Sequence, residues 1–95
     1  MTTLEQRLRA ALPRGQNLVT ITHKGRERRA LVTIRPRGGV WILFKPDDDD
    51  MYTSARRVEG DTATKYGTVV VWAARNPEYV QQFDGEPAAS IALKD

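Results

Sequence analysis

Three alternating runs follow one another across two short polar breaks: "LVTITH" from Leu18, "RALVTIR" from Arg29 and "VWILF" from Val40. This succession constrains the fold more than any other feature. Parallel neighbours need a crossover of about a dozen residues, so strands joined by tight turns must run antiparallel. Val19 and Ile21 share one face of the first run against Thr20 and Thr22. In the second run Ala30, Val32 and Ile34 oppose Leu31, Thr33 and Arg35; in the third, Val40, Ile42 and Phe44 oppose Trp41 and Leu43. Period-two alternation of this kind marks a sheet with one face on a core.

The breaks set the expected registers. Gly25 within "KGRE" supplies the positive φ of a tight hairpin. A two-residue loop at Gly25-Arg26 pairs Val19 with Val32 and Ile21 with Ala30, whereas a four-residue loop pairs Ile21 with Val32. Either keeps the apolar face intact. A loop of Arg37-Gly38-Gly39 sets Ile34 against Ile42 and Val32 against Phe44. Trp41 and Leu43 on the other face require that face to be partly covered, and the N-terminal helix is the expected cover.

That helix opens at Thr3, with Gln6 completing a capping box. Leu4, Leu8 and Leu12 form its apolar stripe, and Pro13 and Gly15 end it. Beyond the meander, Tyr52–Glu59 is expected as a strand turning at Gly60-Asp61. The run Val69–Trp72 reads as a central strand. Asn76-Pro77-Glu78 starts a short helix holding Tyr79, Val80 and Phe83. The tail adds an edge strand through Ile91 and Leu93 or stays unpaired.

The expected architecture is a single α+β domain over residues 1–95. An N-terminal helix precedes a curled antiparallel sheet of four to five strands, a small barrel if the edges meet, and a short helix lies near the C-terminus. In element order the chain is similar to Sm-like RNA-binding barrels, which also set a helix before bent strands; the second helix departs from that pattern. The resemblance implies a fold and no more.

Composition narrows the chemistry. Without cysteine there is no thiolate nucleophile, disulfide or sulfur-ligated metal, and His23 is the sole histidine. No window resembles a membrane span or a secretory signal, so a cytosolic location is the default. No motif implies a cofactor. The net charge of +3 hides a split: residues 1–45 carry ten Lys/Arg against two acids, and residues 46–95 carry five against ten. Eleven of the fifteen cations are Arg, which biased base composition alone also produces.

Three functions fit. The first is a non-enzymatic nucleic-acid-binding module gripping DNA or RNA phosphates through Lys24, Arg26, Arg28, Arg29, Arg35 and Arg37, with Trp41 as a lone stacking ring. The second is a protein-binding module, an inhibitor or adaptor, that docks a charged partner through its basic face or through Asp47, Asp48, Asp49 and Asp50. That acidic run lacks the central Gly and terminal Glu of a calcium loop. The third is a toxin-like RNase using His23, Arg28 and Tyr66.

Overall fold

The computed structural model describes residues 2–46, 52–70 and 77–93. Helix α1 (Leu4–Ala11) precedes β1 (Gly15–His23), β2 (Arg26–Ile34), β3 (Val40–Phe44), β4 (Tyr52–Glu59) and β5 (Thr62–Val70). Helix α2 (Pro77–Gln81) and β6 (Ser90–Ala92) complete the chain. The strands form one sheet of six in the order β5-β4-β3-β2-β1-β6. All neighbours are antiparallel except β6, which runs parallel to β1. The architecture is α+β, with a sixth strand supplied by the tail and a sheet that does not close into a barrel.

The hairpins keep the expected faces but not the expected registers. Val19 lies opposite Ala30 and Ile21 opposite Arg28, so the β1–β2 loop is Lys24-Gly25. Both loop residues have positive φ, 52° and 74°, as a type I′ turn requires. The turn therefore sits one residue earlier than Gly25-Arg26, and Lys24 tolerates the left-handed conformation. At β2–β3, Val32 pairs with Ile42 and Ile34 with Val40, one pair closer than the Arg37–Gly39 loop implies. Gly39 explains the longer loop. Its φ is +84°, and a Cβ there would stand 3.0 Å from the Val58 carbonyl, so the loop is pressed onto β4.

Alternation carries Val19, Ile21, Ala30, Val32, Ile34, Val40, Ile42, Phe44 and Val58 into one buried cluster. Leu8 of α1 and Leu12 just after it, with Ile91 and Leu93 around β6, cover it. The helix thus lies on the core face, not over Trp41 and Leu43 as the pattern suggested. Its leucine stripe seeks the face with the most apolar area to remove from water. The capping box forms as expected: the Thr3 hydroxyl accepts from the Gln6 amide at 3.2 Å, and Gln6 Oε1 accepts from the Thr3 amide at 2.9 Å.

The helix also shows how far the sheet curls. Its first turn meets the β4–β5 turn, with the Leu4 amide donating to Asp61 at 2.9 Å and the Glu5 amide donating to the Gly60 carbonyl at 2.9 Å. Its Arg7 reaches the Ala92 carbonyl on β6 at 3.4 Å. One short helix touches both ends of the strand order, so the sheet wraps around it. Among the described residues the edges approach without pairing.

Glu5 is the hinge of the first contact. It accepts from the Gly60 amide at 2.9 Å and from Arg9 Nε at 2.9 Å. The Gly60 hydrogen bond, then Arg9, hold its carboxyl below the usual carboxylate range. A depressed folded-state value contributes stability above the ordinary value, lost as pH falls through the folded one. Glu5→Gln should therefore be less stable than wild type near neutrality, with the gap closing on acidification. Denaturant midpoints measured from pH 7 downward check this; a gap independent of pH would contradict it.

The second face is covered from elsewhere. Phe83 is fully buried outside the main cluster. Arg29, pointing away from the core, donates to the carbonyls of Phe83 and Gly85. The segment after α2 thus crosses this face over β2 and delivers β6 to the free edge of β1. Among the described residues β5 pairs only with β4, so the strand holding Val69 is terminal in the sheet, not central as its apolar run implied. Hydrophobicity alone does not separate these positions. Val71, Trp72 and Asn76 lie outside the described residues.

Candidate functional site

Where the two edges of the sheet approach, α1 fills one part of the gap and leaves a groove of about 720 Å³ in the rest. Leu4 and Arg7 of α1 form one wall and Ala92 and Leu93 another. The β1–β2 turn contributes His23 and Lys24, β4 contributes Arg56, and Asp61, Thr62 and Ala63 close the far side. Arg7, His23, Lys24 and Arg56 are therefore gathered from three segments of the chain. Among the described residues Asp61 is the one acid in the lining, and it already accepts from the Leu4 amide.

Arg56 is the least ordinary member. It occupies a core-face position opposite Ile42 on β3 and Lys65 on β5. Its Nε is buried without a hydrogen-bond partner in the structure. A guanidinium held this way retains donor capacity for an incoming acceptor, and buried donors are costly to leave unmade. Strand alternation alone puts Arg56 on the face of Val58, which was the available signal for it. Arg7 carries no such signal, because its partner β6 lies 85 positions away in the chain.

The six cations singled out from the sequence do not form one patch. Lys24 and Arg26 stand exposed at the hairpin tip, beside the groove. Arg28 follows on the core face, its guanidinium 4.9 Å from the Phe44 ring centre and its Nη2 2.7 Å from the Lys45 carbonyl. Arg29 is turned to the opposite face and straps the segment after α2. Arg35 and Arg37 are exposed on the β2–β3 loop at the other end of β2, where the Arg35 carbonyl accepts from Arg9. Asp47, Asp48, Asp49 and Asp50 lie outside the described residues.

The face away from the core carries a second constellation. Trp41 and Tyr66 meet edge to face, with ring centres 5.0 Å apart and planes at 73°. Arg57 lies over the Trp41 ring at 5.6 Å. It is anchored by a hydrogen bond to the Gly38 carbonyl at 3.0 Å and by an ion pair with Glu59. Trp41 is thus not a lone ring: pairing β3 to β4 and β4 to β5 brings Tyr66 beside it. The same geometry separates the RNase candidates. His23 and Arg28 flank Phe44 on the core face, whereas Tyr66 is on the other, so the three do not converge.

The chain matches no protein-family model, no curated protein and no solved structure. Among the described residues, no helix is long and apolar enough to cross a membrane.

Proposed function

We propose that this protein is a nucleic-acid-binding module and that the groove beside the β1–β2 hairpin is where it holds the phosphate backbone. One observation carries the reading: three separate segments place Arg7, His23, Lys24 and Arg56 around a single hollow, where the one acid among the described lining residues is already engaged by backbone. Arginine and lysine grouped in this way offer donors and positive charge to successive phosphates. Arg26, exposed at the hairpin tip, extends the positive surface outward. Arg28 and Arg29 support the framework around it through their carbonyl contacts.

The reading predicts binding that weakens steeply with salt. If Arg7, Lys24 and Arg56 each meet one phosphate, the slope of log affinity against log salt should be about −2 to −3. Fluorescence anisotropy with labelled duplex and single-stranded oligonucleotides, from low to physiological salt, measures it. Absence of binding at low salt would remove the proposal.

A further inference from the structure

On the face opposite the core, β4 and β5 border a hollow of about 440 Å³ lined by Arg57, Glu59, Thr62, Thr64 and Tyr66. From this we infer that the hollow seats one unpaired nucleobase, stacked on the Tyr66 ring, so that the protein selects single strands over duplex. The inference rests on the proposed nucleic-acid function and deepens it.

Tyr66 is the starting point. It is 56% exposed, the single large hydrophobic so exposed among the described residues. Trp41 braces its ring edge to face and leaves more than half of its surface accessible. A ring held in place but uncovered is a stacking platform with little ordering cost left on binding. The surroundings suit a planar, polar-edged guest. Thr62 and Thr64 contribute hydroxyls that donate or accept, Glu59 accepts, and Arg57 donates, fixed by Gly38 and Glu59. The volume lies within the range of about 300–1,000 Å³ that small-ligand sites occupy.

Position ties this hollow to the groove. Thr62, at the start of β5, lines both. Arg56 and Arg57 are consecutive and point to opposite faces, one into each. A strand whose phosphates lie in the groove therefore passes the β4–β5 turn and reaches Tyr66 after about 13 Å of β5, four residues on. A duplex, with its bases stacked inside, has no free base to offer there.

The test compares three probes under one salt condition: single-stranded oligoadenylate, a duplex of equal length, and inorganic polyphosphate, which has charge but no base. Wild type should bind oligoadenylate most tightly. Tyr66→Ala should weaken that binding about 10-fold, Tyr66→Phe should retain it, and duplex and polyphosphate should be unaffected by either change. If Tyr66→Ala binds oligoadenylate as wild type does, or if wild type binds polyphosphate equally well, the base seat is wrong while the groove reading stands. If no probe binds wild type, both fall.

Discussion

Phe44→Ala should cost about 3–5 kcal/mol. Phe44 is 1% exposed and sits at the end of β3, paired with Ala30. Its ring has Arg28 over one side at 4.9 Å and His23 at 6.4 Å. The substitution therefore removes a cation–π contact, worth about 0.5–1 kcal/mol, along with the apolar burial. Ala30 opposite is too small to refill the space. The Phe44 carbonyl, which accepts from the Thr53 hydroxyl, is untouched in principle, but a collapsing strand end would strain it. Domains of this size hold about 5–15 kcal/mol in all, so the midpoint of denaturation should fall sharply at an unchanged m-value. Thermal unfolding should shift by on the order of 15 °C or more. A loss below about 1 kcal/mol would mean that Phe44 is not packed into the core as its burial indicates.

Charge reversal in the groove should have the largest effect on binding. Lys24→Glu combined with Arg56→Glu should weaken oligonucleotide binding on the order of 100-fold and flatten the salt slope by about two contacts. Both residues line the groove, one from the hairpin turn and one from β4. Arg35→Glu with Arg37→Glu makes the same change in net charge on the β2–β3 loop. Binding through the groove predicts a much smaller loss there, within about threefold, from long-range field alone. Equal losses from the two pairs would assign binding to overall charge. Circular dichroism on each variant separates a lost contact from a lost fold, since Arg56 sits among core-face residues.

The faces of the meander were legible from alternation because both hairpin registers differ from the expected ones by an even number of positions. A shift of two keeps every side chain on its own face, whereas a shift of one would have inverted the core. The β4–β5 hairpin was read to its turn, since Gly60-Asp61 joins Glu59 directly opposite Thr62. The side on which α1 docks was not legible, because a leucine stripe names no partner face. Tyr66 was missed as Trp41's neighbour for a related reason. The β3–β4 pairing of Trp41 with Arg57 depends on a connection too long to carry a register, so no local pattern could place the two rings together. The convergence of Arg7, Lys24 and Arg56 likewise arises from the curl of the sheet, a property of the whole backbone rather than of any segment.

That curl ends in a seam bridged by α1 instead of by strand pairing. In a closed barrel, strand number and stagger fix the diameter, because every edge is tied by backbone hydrogen bonds. Here Ala92 and the Gly60-Asp61 turn are connected through a single short helix, by Arg7 on one side and by Leu4 and Glu5 on the other. The span of the mouth is therefore set by the contacts of α1 with the two edges and not by rungs of the sheet.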